Sequence, residues 1–503
     1  MSSPDVVIIG AGPNGLVAAN ILADAGFSTL VVEANARPGG AVWTEAFTLP
    51  GFRHDVGAAF FPFGQTSPAL KKLDLPAHGL VWKHAPFDTA HPSIDGSCSA
   101  VGRDLEASMR NLGVDGQAWR KLATWHARTR DELLGALLST LPAVKPMLQF
   151  GIPNLLRLGL VASSSGRTFS ERHFRTDAAR RIIPALALHT DVGPDDPFGA
   201  IVGFMLTMLA SSGGFAVPEG GAASITRALL RRLESKGGRV FLGARVKRIV
   251  VREGAARAVM TDKGEEISAN RAIIADTSAP ALYLKLLDRA LVPSPIVAAM
   301  ERFPYGFGTF KMDWALDGPV PWFSEEAAQA AVVHTGDDVD DLARFTTQVR
   351  QGELPENPYL VIGQQSIVDP TRAPAGKHTL WAYSRVPSNI AGGWKTHAAH
   401  FADRIEDRLE KLAPGFKKRV LARFVVTPPD LEAMDENLVG GDLGGGSAQI
   451  QHQLFFRPVF PYFRYRTPIR GLYLGSSYTH PGAGVHGACG YNAALAVIED
   501  APL

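Results

Sequence analysis

"DVVIIGAGPNGLVAANILADAGFSTLVVEA", residues 5–34, decides the fold. The apolar run Val6–Ile9 suits a parallel strand buried on both faces. Gly10, Gly12 and Gly15 follow at once in Gly-x-Gly-x-x-Gly spacing, with Pro13 and Asn14 inside the turn. Residues 16–25 predict a helix with small residues toward the sheet, Gly26 ends it, and Thr29–Val32 form a second strand closed by Glu33. Gly10 permits the tight turn, Gly12 lets backbone approach a diphosphate, and Gly15 allows helix to pack closely on strand. Free N–H groups and the helix dipole favour an anion there. Glu33, 18 residues after Gly15, is placed to accept from a ribose 2′-hydroxyl. The glycine spacing alone says little; strand, turn, helix, strand and terminal acid in register predict a Rossmann-like dinucleotide-binding unit.

The continuation "ANARPGGAVWTEAFTLPGFRHDVGAAFFPF", residues 34–63, narrows the ligand. Ala34 follows the acid, then Arg37 and the pair Gly39 and Gly40. An arginine can neutralise phosphate charge, and two glycines can bring a second backbone segment against a cofactor. This order resembles the flavoprotein pattern in which Glu, Arg and Gly-Gly hold the adenosine and diphosphate of FAD. The same resemblance makes Gly57, Ala58 and Ala59 a second close approach, with room for a flat isoalloxazine ring. Family members often carry Arg after Gly-Gly, where Ala41 stands here.

A second glycine cluster closes the chain in "GLYLGSSYTHPGAGVHG", residues 471–487. Gly482, Gly484 and Gly487 repeat the dinucleotide spacing, yet only 16 residues follow, too few for a second Rossmann unit. This turn is therefore expected to act on a dinucleotide already held by the N-terminal half. The start of the following helix, at Val485, His486 and Gly487, can stabilise negative charge on the pyrimidine side of a reduced flavin.

Residues 440–494 as a whole resemble the C-terminal signature of phytoene desaturase-like FAD oxidoreductases. The resemblance is tight at both cofactor motifs and loose in between. It implies an α/β fold: a Rossmann-like FAD-binding domain of glutathione reductase and amine oxidase type, interleaved with an α+β substrate domain. It further implies that Val246 sets its backbone against the adenine. Relatives place an acid on the ribityl chain just after the last strand, and here Ser476 and Ser477 take that neighbourhood.

The rest of the chain divides accordingly. Residues 213–276 look like part of a cofactor domain, with a glycine-rich loop, a helix from about residue 224 and strands near 240–242, 246–251, 256–261 and 272–275. Residues 64–204 are helix-rich by their apolar spacing, whereas 281–466 mix strands with helices. The expected division is an FAD-binding domain of 1–63, 205–280 and 467–503, and a substrate domain of 64–204 and 281–466.

Composition excludes several function classes. Fifty-one basic against 49 acidic residues leave a formal charge of +2, so no single-sign field points to nucleic acid. Two cysteines, Cys98 and Cys489, give neither a disulfide scaffold nor a Cys-x-x-Cys pair, and no metal-ligand cluster is evident. "MSSPD" runs into the first strand without a signal-peptide pattern, so a reduced, cytoplasmic compartment is expected. The most apolar region, 133–162, is broken by Pro142, Lys145, Pro146, Pro153 and Arg157. It reads either as buried helices of the second domain or as a patch lying on a membrane surface.

The resemblance implies hydride transfer between flavin and a carbon–carbon bond of a long apolar substrate, by a desaturase, saturase or isomerase. Such chemistry asks the protein for orientation and exclusion of water. His480 is a candidate local acid or base. Lys311, in "GTFKMDW", stands where amine oxidases carry a lysine that holds water near the flavin, and Tyr478 is a candidate for the substrate face. A flavin amine oxidase and an FAD-bound interaction protein with little turnover are the other two readings.

Overall fold

The structure of the protein is a computed structural model that describes residues 3–501. Strand Val6–Ile9, wholly buried, runs through the middle of a five-stranded parallel sheet in the order Leu472–Leu474, Ala272–Ala275, Val6–Ile9, Thr29–Val32, Arg239–Phe241. Val6 registers with Ala272 on one side and Thr29 on the other. Its run of four apolar residues fits this position: Val6 and Ile8 pack on helices at one face, while Val7 and Ile9 pack at the other on strands Val246–Arg252 and Ala255–Thr261 of a three-stranded sheet. Helix Pro13–Asp24 starts with proline in its first turn, where the missing N–H costs nothing.

The last helix, Ala488–Asp500, packs on that first one. Contact is closest at Gly490, where a Cβ would stand 1.9 Å from the backbone oxygen of Asn14. Only glycine fits, so this position sets how near the two helices come.

A seven-stranded mixed sheet forms the second layer system, in the order Val420–Val426, Gly308–Leu316, His378–Val386, Val361–Gly363, Ala330–His334, Phe87–Pro92, Cys98–Val101. Strand Gly308–Leu316 is buried along its whole length and shows why a period of two matters. Phe310, Met312 and Trp314 join one core with Phe401, Ile405 and Leu409 of helix Trp394–Leu412. The alternate residues Thr309, Lys311 and Asp313 pair with Arg385, Tyr383 and Trp381 across the ladder. The second face is therefore polar in part. The apolar stretch after residue 358 yields only a three-residue strand, Val361–Gly363, before the chain turns.

The region 133–162 differs from a set of buried helices. Helices Val144–Phe150 and Ile152–Ala162 bury Phe150 and Val161 but expose Leu148, Ile152, Leu156 and Leu160 by 68–71%. Apolar residues that fill most of the helix circumference cannot all face one core, so the surplus lies outside. Among the described residues no helix is long and apolar enough to cross a membrane. Cys98 and Cys489 are free thiols.

Candidate functional site

A cavity of about 1000 Å³ opens at the carboxyl ends of the parallel strands. Gly12, Pro13 and Asn14 of the first turn line it, with Ala41, Gly57, Ala58 and Ala59 beside them. Ser476, Ser477, His480, Gly484, Val485 and His486 close it from the C-terminal turn. The two glycine clusters, at opposite ends of the chain, thus face one space. Gly487 caps the last helix in a left-handed conformation (φ +67°), directing that helix start toward the cavity's border.

The remaining motif residues brace this arrangement from behind. Glu33 Oε2 accepts from the Ala11 N–H at 2.7 Å and Oε1 from the Asn35 N–H at 2.8 Å, so the acid is fixed between the turn and the strand end. Gly10 continues the sheet ladder by donating to Val32 O. Gly39 N–H donates to Ala11 O, which sets Gly39 and Gly40 against the first turn. Ala34 is half-buried next to them. Arg37 pairs with Glu45 at 2.9 Å and donates to Gly40 O, so its charge already has a partner. Val246 opens strand Val246–Arg252, and the segment just before it approaches the acid, with Ala244 N–H donating to Glu33 O.

Asp276 was not evident from the sequence. It follows strand Ala272–Ala275 and its Oδ2 accepts from the Gly15 N–H at 2.8 Å. Burial, with Asp435 and Glu33 nearby, pushes this carboxyl up to about 8. A neutral acid beside the first turn does not repel a diphosphate as a carboxylate would. Asn437 ties the same corner together, donating to Asp276 O and accepting from the Ser278 N–H. The available signal was positional: Asp276 ends its strand as Gly10 ends Val6–Ile9, and ligands of such sheets sit at strand carboxyl ends.

The three candidate catalytic residues separate. His480 borders the cavity with Nε2 buried and unpartnered. Burial and the Arg457 charge hold its imidazole down to about 4, so at neutral pH the ring is uncharged. Tyr478 points elsewhere: it is fully buried and its hydroxyl donates to Asn437 O at 2.8 Å, which braces the loop carrying Asp435 and Asn437. Lys311 lies on the right face of its strand but does not line the cavity. Asp313, two residues on, pairs with its ammonium, and the Phe47 ring lies 5.3 Å away. Neither Tyr478 nor Lys311 is among the residues that line the cavity.

Arg457 adds a buried charge the sequence did not single out. It donates to the carbonyls of Ser447, Gly444, Gly445 and Ser477 at 2.7–3.2 Å. Among the described residues no carboxylate lies within 4.0 Å of it. In "FFRPVFPYFRYRTPIRG" it is one of four arginines, and nothing local marks it as the buried one.

The residues fit a flavin dinucleotide. A Cβ on Gly12 would stand 2.7 Å from Asp276 Oδ2 and one on Gly57 2.8 Å from Ala41 O, so bare backbone forms the wall. Asn14 Oδ1, His480 Nε2, His486 Nε2 and Arg457 Nε are buried polar atoms of the cavity lining that lack partners among the described residues. Buried polar groups are normally satisfied, and an oxygen- and nitrogen-rich ligand satisfies such a set.

Comparison with known proteins agrees. The sequence profile of the family described as Flavin containing amine oxidoreductase matches residues 14–498. The chain is 29% identical to the Mus musculus protein named pyridine nucleotide-disulfide oxidoreductase domain-containing protein 2, over 99% of this chain and 93% of that one. It is 25% identical to the phytoene desaturase (lycopene-forming) of Pseudescherichia vulneris, over 98% and 99%. Its fold matches the crystal structure of an oxidoreductase from Methanosarcina mazei with a TM-score of 0.66 at 18% identity, covering 98% and 99% of the two chains.

Proposed function

The chain belongs to the flavin containing amine oxidoreductase family, and on that premise we propose that it moves hydride between FAD and a carbon–carbon bond of a long apolar substrate. That it is an FAD-dependent oxidoreductase follows from the family; the bond and the substrate class are the proposal. The observation that carries it is the cavity itself. From the glycine turns it extends between Leu158, Ile201, Met205, Leu206, Phe215 and Phe307, side chains that offer an apolar chain contact and no hydrogen bonds.

Bound FAD supplies the hydride acceptor or donor. The chain's own residues exclude water with these apolar walls and orient the substrate against the cofactor. Asn14, Ser476 and Ser477 are placed to hold the cofactor's polar groups, and Gly12 with Pro13 to pass its diphosphate. The start of helix Ala488–Asp500 and the Arg457 guanidinium bring positive potential to the same border, which favours negative charge in the reduced cofactor. The division into an FAD-binding unit of 1–63, 205–280 and 467–503 and a substrate unit of 64–204 and 281–466 belongs to this proposal. The parallel strands and the cavity-facing sheet support it.

An amine oxidase reading gains from the aromatic wall, where Trp381 and Tyr383 meet edge to face with centroids 5.1 Å apart. The buried guanidinium of Arg385 beside them would repel an alkylammonium group, which favours the apolar reading. Anaerobic mixing of the oxidised holoprotein with a polyene, an acyl compound and a primary amine separates these readings. Bleaching of the flavin absorbance by the polyene or acyl compound is expected. Bleaching by the amine alone would establish the amine oxidase, and no bleaching in either redox direction would favour an interaction protein.

The route of entry forms part of the same reading. Phe198, Ile450 and Leu454 line the cavity and are each about two-fifths exposed (38–43%), which marks its mouth. Helix Ile152–Ala162 borders that cavity with Leu158 and Ala162 while turning Ile152, Leu156 and Leu160 outward. Lys145 and Arg157 add charge suited to anionic headgroups. We therefore place the mouth against a lipid surface. Leu156→Asp with Leu160→Asp is expected to cut partition onto anionic vesicles by at least about tenfold, since each buried leucine is worth about 1.5–3 kcal/mol. Unchanged flotation would remove the lipid contact from the proposal.

A further inference from the structure

The wall opposite the glycine turns is one face of strand His378–Val386, where Trp381, Tyr383 and Arg385 alternate with core residues and all line the cavity. Arg385 is only 4% exposed. Its Nη1 donates to Thr309 Oγ1 at 2.7 Å and its Nη2 to His189 O. Nε is buried with no partner, and among the described residues no carboxylate lies within 4.0 Å of the guanidinium. Its carbon sits 5.0 Å over the Tyr383 ring.

Five acids border the cavity elsewhere, and Asp276 and Asp435 accept from the Gly15 and Asn437 N–H groups. Asp191 accepts from Ser447 Oγ and the Ala448 N–H, Asp442 from three backbone N–H groups, and Asp196 pairs with Arg350. His189 cannot supply a negative charge, and its Nε2 is engaged with His334 Nε2 at 2.7 Å. A buried cation without a counter-ion is costly to keep, and burial this deep normally comes with an anionic partner. The described residues supply none, and the cavity lies against the group that lacks it.

We propose that Arg385 anchors the carboxylate of a long-chain acid, so that the substrate is an amphiphilic carboxylate whose chain runs along the apolar wall. This rests on the apolar-substrate reading above and narrows it. A guanidinium takes a carboxylate through two parallel N–H donors, and a neutral ester or hydrocarbon cannot replace that contact.

The test uses the holoprotein with oleate and methyl oleate competing against a bound fluorescent fatty-acid probe. Wild type is expected to bind oleate at least about tenfold more tightly than its ester, a charge-assisted pair being worth about 1.5–3 kcal/mol. Arg385→Met should remove that preference, and Arg385→Lys should keep part of it. Flavin content and melting temperature of each variant check that it is folded, and the wild-type comparison needs no variant. Equal binding of acid and ester overturns the anchor and leaves the apolar reading standing. Preference that survives in a folded Arg385→Met also overturns the anchor. Displacement by neither ligand overturns the apolar reading itself.

Discussion

Gly15→Val is expected to purify with little or no flavin, its affinity for FAD lowered by about 150-fold to about a thousandfold, or about 3–4 kcal/mol. A Cβ at this position would stand 2.2 Å from the backbone oxygen of Gly10 and 3.0 Å from Asp276 Oδ2. The first obstacle is backbone in the tight turn itself and cannot swing aside, so turn and helix must separate. That movement withdraws the helix N–H groups from the diphosphate position and breaks the bond from the Gly15 N–H to Asp276. Gly135→Ala is the control, because a Cβ there meets nothing within 4 Å in the last turn of helix Gly116–Leu137. It should keep its flavin and gain at most about 0.5–1 kcal/mol of stability. Titration of stripped proteins with FAD measures both. Wild-type affinity in Gly15→Val would mean that the first turn does not hold the dinucleotide.

Arg457→Met should destabilise the fold by at least about 3 kcal/mol and lower the reduction potential of the bound flavin by tens of millivolts. The stability loss comes from four carbonyls that share one guanidinium, since each buried group left unmade costs about 1–3 kcal/mol. The potential falls because a positive charge at the border of the site favours the reduced anion, and about 30 mV corresponds to 1.4 kcal/mol for a two-electron couple. Arg457→Lys separates the two effects: it retains the charge but not the fork, so the potential should recover while much of the stability loss persists. Urea midpoints and dye-coupled reduction give the two readouts. A potential that stays at the wild-type value in Arg457→Met would make this residue a structural clamp alone.

Residues 5–34 could be read from the sequence because each element there is fixed by its immediate neighbours: four apolar residues, three glycines and an acid at the second strand's end. The C-terminal turn was legible for the same reason, its three glycines lying between a short strand and a helix. What escaped depends on distant partners. Lys311 has the expected strand and face, but Phe47 covers it from more than 260 positions away and Asp313 captures its charge. Tyr478 stands beside the right serines, yet its hydroxyl finds Asn437 O on a loop 41 positions earlier. Arg385 and Arg457 look like any other arginine until the fold buries them without acids. Burial of a charge is a property of tertiary packing, and no spacing rule encodes it.

The close seat of Gly490 on Asn14 joins the first described helix to the last. Strand Leu472–Leu474 likewise completes the parallel sheet only after every other strand exists. A ribosome-bound chain lacking this segment presents strand Ala272–Ala275 as an open edge and a glycine turn without its opposite side. Stable uptake of the flavin is thus expected only once residues 471–500 have emerged, and a nascent chain stalled before residue 471 should be colourless and prone to pair with its neighbours.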